Sequence, residues 1–193
     1  NNNSGMINTI ENTTFSSNFA SQVGGAILNN LNSVISSINN ATFSYNRAIQ
    51  GGAIRNAGTS DITMLSNSLF HINSSNECTL NISSSTSVLN NNMSDKSVSE
   101  CHTTMDTLSS GTVLPLNSNG FSVMTHALTA DSEAIDMGDG SALATDQRGL
   151  AVFGSARDIG AFEHQDNEGV IFKNGFESLM PRLEMVSDQN AVL

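Results

Sequence analysis

A repeating set of positions governs the first part of this sequence. Five residues return after 28 positions and again after 27: Ile7, Ile10, Asn12, Phe15 and Asn18, then Ile35, Ile38, Asn40, Phe43 and Asn46, then Ile62, Leu65, Asn67, Phe70 and Asn73. Gly24-Gly25-Ala26-Ile27 also returns after 27 positions, as Gly51-Gly52-Ala53-Ile54. The apolar matches are the informative ones, since a chain rich in Asn matches Asn by chance. A fixed period of this length is typical of repeat architectures.

The repeats consist of residues that favour strands and turns over helices. Ile, Val, Thr and Phe favour strands, and Asn, Ser and Gly favour the turns between them. Short strands such as 33–38 and 61–65, joined by tight corners, predict an all-β fold class and a parallel β-helix with about 27 residues per coil. Hairpins of a β-sandwich are the alternative, although hairpin sequences rarely keep such a register.

In a parallel β-helix, equivalent residues of successive coils stack about 4.8 Å apart. We therefore expect Phe15, Phe43 and Phe70 to form an internal ladder. Asn18, Asn46 and Asn73 are the predicted corners, because Asn tolerates left-handed backbone angles and its amides can bond along a stack. The glycine pairs fit a turn with positive φ or a close approach of two backbones. These pairs are Gly24 with Gly25 and Gly51 with Gly52.

Composition excludes several classes of function. The chain has 7 Lys and Arg against 18 Asp and Glu, for a formal net charge of −11, and this balance would repel a nucleic acid. No stretch approaches the roughly 18 consecutive apolar residues of a membrane-spanning helix. The sequence opens at Asn1 without a charged and apolar leader, so we interpret it as a mature or excised C-terminal portion.

Two sets of motifs resemble known families. Phe15-Ser16-Ser17-Asn18 with Gly24-Gly25-Ala26-Ile27, and the same pattern from Phe43 to Ile54, resemble the FxxN and GGAI repeats of chlamydial polymorphic outer membrane proteins. The second half resembles the bacterial "choice-of-anchor Q" domain. Its motifs are matched by Thr125-His126-Ala127-Leu128, Glu133-Ala134-Ile135-Asp136-Met137-Gly138-Asp139, Thr145-Asp146-Gln147-Arg148-Gly149 and Asp158-Ile159-Gly160-Ala161-Phe162-Glu163.

These resemblances imply a right-handed, pectate-lyase-like solenoid from a secreted or cell-surface bacterial protein. They divide the chain into coils at 1–113, a capping segment at 114–163 that we expect to fold over the last coil, and a tail at 164–193. The anchor family often has a cysteine pair before its terminal domain, which here implies a disulfide between Cys78 and Cys101, with two buried thiols as the alternative. By its offset from Gly51, Cys78 is predicted to lie at the third Gly-Gly-Ala corner.

The sequence suggests no catalytic residues and no cofactor-binding residues. Glu11, Asp61 and Glu77 are too sparse to supply the facing carboxylates that glycoside hydrolysis needs. A lyase would need a positioned base, and Arg47 and Arg55 are interpreted as solvated residues at the rim of the coils. The four histidines lack zinc-like spacing, so His71 and His126 are expected to pack or form hydrogen bonds.

The acidic residues of the second half allow two interpretations. Asp136, Asp139 and Asp146 are candidate Ca²⁺ ligands, because hard cations prefer clustered oxygen atoms. The favoured alternative is structural: a buried hydrogen-bonded network that fixes the cap through charge-assisted contacts. Its predicted members are Asp136, Asp146, Arg148, Arg157 and Asp158.

The sequence thus predicts a protein without catalytic function that serves structural display or adhesion at the bacterial surface. A glycan or a host or cell-surface protein is the expected partner, through hydrogen bonds and shape, since the chain has one Tyr and no Trp. The alternative is the C-terminal part of a polysaccharide lyase or glycoside hydrolase whose active site lies upstream.

Overall fold

The computed structural model describes residues 1–74, 78–80, 88–96, 105–109, 111–140 and 143–165. Within these ranges the protein is all-β and has no helix, and so none long and apolar enough to cross a bilayer. Cys101 and residues 166–193 lie outside the described residues, so the predicted disulfide and most of the predicted tail stay predictions. The strands are β1 (Asn2–Asn3), β2 (Met6–Ser16), β3 (Ile27–Asn30), β4 (Val34–Ser44), β5 (Ile54–Asn56), β6 (Asp61–Ser66), β7 (Leu69–His71), β8 (Cys78–Leu80), β9 (Val88–Asn90), β10 (Met93–Ser94), β11 (Asp106–Thr107), β12 (Val113–Asn117) and β13 (Thr125–Leu128).

Strands β1 to β11 form two parallel sheets in which equivalent strands of successive repeats lie side by side. The first sheet has the order β1-β3-β5-β8, and the second joins β11-β10-β7-β4-β6-β9, with β2 also paired to β4. We call β2 the first repeat, β4 the second, β6 with β7 the third, and β9 with β10 the fourth. Phe15 pairs in register with Phe43, and Phe43 pairs with Phe70.

The repeat shortens after its third copy. The offset is 28 residues from Ile10 to Ile38 and 27 from Ile38 to Leu65. It falls to 24 between Leu65 and Leu89. The same shortening pairs Cys78 with Ile54, so the prediction that Cys78 lies at a third Gly-Gly-Ala corner is wrong. The strands keep their pairing although the repeat has become shorter. This is possible because the residues are lost from the connections and not from the paired strands.

Bends in the long strands come from asparagines in the left-handed conformation. Asn12, Asn40, Asn67 and Asn91 have φ between 44° and 49°. Asn tolerates this region better than other residues with a side chain, since its short polar group bonds locally. A left-handed residue interrupts the extended backbone, so β2 and β4 each bend at this asparagine.

The predicted corners at Asn18, Asn46 and Asn73 form an amide ladder, but the left-handed angle falls one residue earlier. Asn18 Nδ2 donates to Asn46 Oδ1 at 2.8 Å, and Asn46 Nδ2 donates to Asn73 Oδ1 at 3.0 Å. The positive φ values belong to the preceding residues Ser17, Tyr45 and Ile72. Each Asn thus holds its corner through its side chain, and the strain lies on its neighbour. A second amide ladder, which the repeat pattern did not indicate, runs through Asn2, Asn29 and Asn56.

The interior is filled by the repeated apolar residues. Phe15 and Phe43 stack with ring centroids 4.9 Å apart and planes 4° apart, and Phe43 and Phe70 stack at 4.9 Å and 9°. Their spacing matches the separation of neighbouring strands, as parallel pairing in register requires. The buried members of this core are Ile27, Ile35, Ile38, Ala41, Phe43, Ala53, Ile54, Ile62, Leu65, Phe70 and Met105.

The two glycines of each Gly-Gly pair have different tasks. Gly24 and Gly51 have φ of 65° and 63°, which a side chain would strain. Gly25 and Gly52 allow close approach of backbones: a Cβ on Gly52 would lie 2.6 Å from the carbonyl oxygen of Ser74. The repeated glycines therefore set how tightly successive corners can stack.

Residues 111–140 and 143–165, which we call the lateral segment, lie along the side of the stack. Strands β12 and β13 pair antiparallel, and the rest of the segment is irregular. Hydrogen bonds join it to all four repeats, at Asn12, Thr42, Asn67 and Asn91. The prediction that this segment folds over the last coil is therefore wrong. The outer faces of β7 and β10 present Leu69 and Met93, which are buried in one cluster with residues of the segment such as Ile159 and Phe162.

Substituting the middle ring of the ladder tests the core. Phe43 is 0% exposed and contacts a ring on each side, so Phe43→Ala should lower the free energy of unfolding by about 3–5 kcal/mol. Phe19→Ala is the control, because Phe19 is 69% exposed and the same truncation there should cost less than about 1 kcal/mol. Urea denaturation measures both. Similar losses in the two variants would contradict the ladder.

Candidate functional site

The charged residues of the lateral segment form a buried network. Arg148 Nε donates to Asp146 Oδ2 at 2.7 Å, and both side chains are almost entirely buried. Asp146 Oδ1 accepts the backbone N–H groups of Arg148 at 2.8 Å and Leu150 at 3.0 Å. One carboxylate therefore closes the turn at 146–150 and neutralises the arginine that lies in it.

A second ion pair lies next to the first. The Arg157 guanidinium contacts the Glu163 carboxylate, with 1% and 0% of these side chains exposed. Glu163 Oε2 also accepts the Asp158 N–H at 2.9 Å, and Oε1 accepts the Phe153 N–H at 2.8 Å. The two pairs meet at Glu163, whose own N–H donates to Asp146 Oδ2 at 3.1 Å. Removing both charges from water costs free energy. The ion pairing and the hydrogen bonds to the backbone together offset that cost.

Glu163 is the network residue that the sequence analysis missed. It belongs to the Asp158–Glu163 motif quoted for the family resemblance, but nothing in its spacing marked it as the partner of Arg157. The signal that could have found it is charge balance. Arg157 is a large cation among apolar and small residues, so its burial requires an acidic partner close to it.

Asp158 is fully buried, and its pKa is raised to about 7. Burial is the main cause, because the charged form loses its hydration, and the neighbouring Glu163 carboxylate adds to the rise. The backbone N–H groups of His164 and Asp136, which donate to Asp158 at 2.5 and 2.9 Å, lower the pKa, as does Arg157. Asp158 thus joins the backbone at Asp136 to the backbone at His164 and can hold a proton near neutral pH.

The three candidate Ca²⁺ ligands bond to protein groups. Asp136 Oδ1 accepts the N–H groups of residues 155 and 156 at 2.9 and 3.0 Å. Asp139 and Asn67 exchange hydrogen bonds of 3.0 and 3.1 Å, and Asp146 serves Arg148 as described above. Across the described part of the chain, no three His, Cys, Asp or Glu side chains are grouped so that they could hold a metal ion. The geometry therefore gives the calcium hypothesis no support.

His126 ties the lateral segment to the first repeat. Its Nδ1 lies 2.8 Å from the Leu114 carbonyl oxygen, which can only accept, so this nitrogen carries the hydrogen. Nε2 then accepts from Ser16 Oγ at 3.0 Å. Burial lowers the pKa of His126, and the hydrogen bond to the Leu114 carbonyl opposes that effect. The neutral imidazole is thus a fixed link between β2 and β13.

His71 lies in the third repeat, at the register position that Ser16 holds in the first repeat and Ser44 in the second. Its Nδ1 lies 3.1 Å from Ser44 Oγ, and burial lowers its pKa against the opposing charge of Asp95. The Tyr45 ring stands perpendicular to the His71 ring at 5.7 Å and tilted to the His126 ring at 6.1 Å. Both histidines are therefore hydrogen-bonded packing residues around an exposed tyrosine.

The predicted rim arginines do not come together with the buried network. Arg47 is exposed, and its guanidinium carbon lies 5.8 Å from the centre of the Phe19 ring. Arg55 is half-buried on β5, next to Thr79 of β8 in the strand register. The Arg47 and Phe19 pair is a local cation–π contact on the surface, of a kind that adds little stability.

Part of the first repeat and the corner that follows it match a known family. Residues 12–30 match the repeat of the Chlamydia polymorphic membrane protein (Chlamydia_PMP) family, a range that includes both Phe15-Ser16-Ser17-Asn18 and Gly24-Gly25-Ala26-Ile27. This match supports the resemblance to polymorphic outer membrane proteins. No curated protein and no solved structure matches the chain significantly.

Removing the charge of Glu163 should break the network. Glu163→Gln keeps the side-chain size but leaves the Arg157 cation buried without its partner, so we expect a loss of about 3–5 kcal/mol in the free energy of unfolding. Glu11→Gln is the matched control, since Glu11 is exposed on β2, and it should change stability by less than about 0.5 kcal/mol. Equal stabilities of the two variants in urea would show that the ion pair does not hold the segment.

The raised pKa of Asp158 predicts a specific dependence of stability on pH. The folded chain keeps this proton up to about pH 7, whereas an unfolded Asp releases it near 3.8. The stability from the protonated form is therefore complete below the unfolded pKa and is lost as pH rises through this window. Asp158→Asn cannot titrate, so the advantage of the natural chain over this variant should shrink as pH rises.

Urea denaturation of both proteins at steps between about pH 4 and about pH 8 measures that difference. His71 and His126 titrate in both proteins, so their own effect on stability, a loss as pH falls below the ordinary histidine pKa of 6.5, cancels in the comparison. A difference that grows with rising pH would mean that the Asp158 pKa is lowered, contrary to this account.

Proposed function

We propose that this chain is part of a bacterial surface protein, secreted or exposed on the outer membrane, that serves structural display or adhesion and catalyses no reaction. The observation that supports this proposal most is that a sequence repeat of a known surface-protein family coincides with the structural repeat of the strands. Residues 12–30 match an outer membrane protein repeat, and the same Ile, Phe and Asn positions stack through three copies.

The proposed architecture is a right-handed parallel β-helix of the pectate-lyase type. Parallel strands need a crossover between them, and here the chain returns to the neighbouring strand after 28 and then 27 residues. The bends at the left-handed asparagines and the Gly-Gly corners give each repeat a closed path around the apolar interior. The right hand is the one that parallel crossovers nearly always adopt, and the family resemblance implies it too.

We further propose that residues 114–163 are a choice-of-anchor Q domain, after the coils at 1–113 and before a tail at 164–193. Support comes from the way its motifs converge. Thr125-His126-Ala127-Leu128 forms β13, and its histidine bonds to Ser16. The other three motifs supply the network of Asp136, Asp146, Arg148, Asp158 and Glu163. In this proposal the domain fastens the side of the coils.

A surface role also suits the chemistry of the exposed groups. The net charge of −11 disfavours nucleic acid, and the surface near β2 presents Asn, Ser and Thr side chains with Phe19 and Tyr45 exposed beside them. Amides, hydroxyls and isolated aromatic rings can bind polar partners by hydrogen bonds and stacking. A glycan or a host or cell-surface protein is therefore the proposed partner class.

Labelling of intact bacteria tests the surface assignment. Antibodies raised against the 193-residue chain should label intact cells of the producing bacterium as strongly as permeabilised cells, because the chain is proposed to be exposed. A cytoplasmic protein labelled only after permeabilisation is the control for cell integrity. Labelling of this chain only after permeabilisation would overturn the proposed function, whatever the fold.

A further inference from the structure

We propose that the far end of the β12–β13 hairpin is a flap that acid releases. Residues 114–126, which we call the tip, leave the stack when His126 takes up a proton, while the repeats stay folded. This switch does not depend on the proposed function, since it follows from contacts within the chain. It gives the lateral segment a part that opens in addition to the parts that fasten the coils.

The base of the hairpin is held by apolar packing. Val113 and Leu128 pair across the two strands, and both are buried. Together with Ala127 they belong to the cluster that contains Leu69 and Met93 of the repeats. Contacts between apolar side chains contain no group that binds a proton, so the base stays in place and the tip can move relative to it.

The tip has a single hydrogen bond to the repeats. Residues 114–117 of β12 are all exposed, in contrast to the buried base. Among the described residues of the repeats, Ser16 alone forms a hydrogen bond with the tip, at 3.0 Å from its Oγ to His126 Nε2. The attachment of the tip to the stack therefore depends on the protonation state of one imidazole.

Two weaker contacts join the tip to the rest of the lateral segment. Gln147 Nε2 donates to the Met124 carbonyl at 3.5 Å, and the Arg148 guanidinium carbon lies 5.4 Å from the centre of the Phe121 ring. An amide, a ring and a guanidinium do not titrate near neutral pH. These contacts limit how far the tip opens but do not respond to acid.

Both ring nitrogens of His126 are already in use. Nδ1 carries the hydrogen that is donated to the Leu114 carbonyl, and Nε2 accepts from the Ser16 hydroxyl. Protonation of Nε2 sets two donors against each other until the hydroxyl turns away. The resulting cation is 2% exposed, and in the described part of the chain no carboxylate forms an ion pair with it. A buried unpaired charge is costly, and moving the tip into water removes that cost.

The charged groups around His126 do not offset this cost. His71 lies against the same Tyr45 ring, and two protonated imidazoles at this place repel each other. The carboxylate of Asp95 and the ammonium of Lys96 act on His71 in opposite directions. The partners of His126 on β2 and β12 are a hydroxyl and a carbonyl, which carry no charge.

The direction of the pH dependence follows from the burial of His126. Burial lowers the pKa of His126 from its ordinary value of 6.5, against the effect of the Leu114 carbonyl. The closed tip thus binds a proton less readily than the open tip, whose imidazole is in water. The stability that the neutral ring gives to the closed tip is complete above pH 6.5 and is lost as pH falls through the lower pKa. Opening removes the cover from Ser16 and from one side of Tyr45.

Hydrogen exchange of the full 193-residue chain, measured by mass spectrometry, tests the switch. Rates are divided by those of unfolded peptides at the same pH, and the chain is compared at about pH 7.5 and about pH 5. In acid the protection of the tip should fall at least about threefold, while β4 keeps its protection. Residues 157–163 should become more protected in acid, because the folded chain favours the protonated form of Asp158.

Two variants assign the response to one residue. His126→Gln replaces the imidazole by an amide that is neutral at both pH values, so the corrected exchange rate of the tip should not change between them. His71→Gln is the matched control. It removes the other buried histidine beside Tyr45, but His71 bonds to Ser44 within the repeats, so the tip of this variant should keep its acid response.

NMR titration of the imidazole protons gives a measurement that needs no variant. The pKa of His126 in the natural chain should lie below 6.5. A value at or above 6.5 would overturn the switch. This measurement decides the question even if His126→Gln does not fold, which fast exchange of β4 would reveal.

Three results of the exchange experiment would also contradict the switch. They are unchanged protection of the tip in acid, an equal acid response in a folded His126→Gln variant, and loss of protection in β4 or in residues 157–163 together with the tip. The last result would mean that acid unfolds the chain or detaches the whole lateral segment. None of these results bears on the labelling of intact cells, so the proposed function is judged separately.

Discussion

Parallel pairing in register between consecutive repeats is the constraint on which the other features depend. It places Phe15, Phe43 and Phe70 in one column with ring centroids 4.9 Å apart, and it aligns Ile10, Ile38 and Leu65 in another. A column forms only if each corner returns the chain to the same point. The left-handed asparagines, the amide ladders and the Gly-Gly approaches all serve that return, and their repetition in the sequence follows from it.

The lateral segment solves a different problem. A stack of strands is connected mainly between neighbours, so its repeats can separate from one another. The segment contacts the first repeat at Asn12 and the fourth at Asn91, and it buries Leu69 of the third repeat and Met93 of the fourth. Its own irregular backbone is held by buried carboxylates that accept N–H groups. In this part of the protein, buried ion pairs and their hydrogen bonds therefore hold the backbone where regular secondary structure is missing.

The sequence predicts features that repeat and misses those that depend on long-range contacts. The core positions were predictable because side chains inside a stack must be similar from one repeat to the next. The site of the left-handed angle was not, since Asn12 and Asn18 are both asparagines of one repeat and propensity does not distinguish them. The 24-residue offset near Cys78 was hidden because the Gly-Gly signature stops after its second copy. The ion pair of Arg157 with Glu163 could not be predicted without knowing which surfaces meet in the fold. The same is true of the lateral position of the segment.

The distance between Thr9 and Met64 tests the register most directly. Thr9 pairs with Ser37, and Ser37 pairs with Met64, so these residues are separated by two strand spacings although they are 55 positions apart in the chain. Spin labels at the two positions, in a chain whose cysteines are replaced by serine, should lie about 10 Å apart and show strong dipolar broadening by electron paramagnetic resonance. A doubly labelled protein whose spectrum equals the sum of the two singly labelled spectra would contradict the parallel stack.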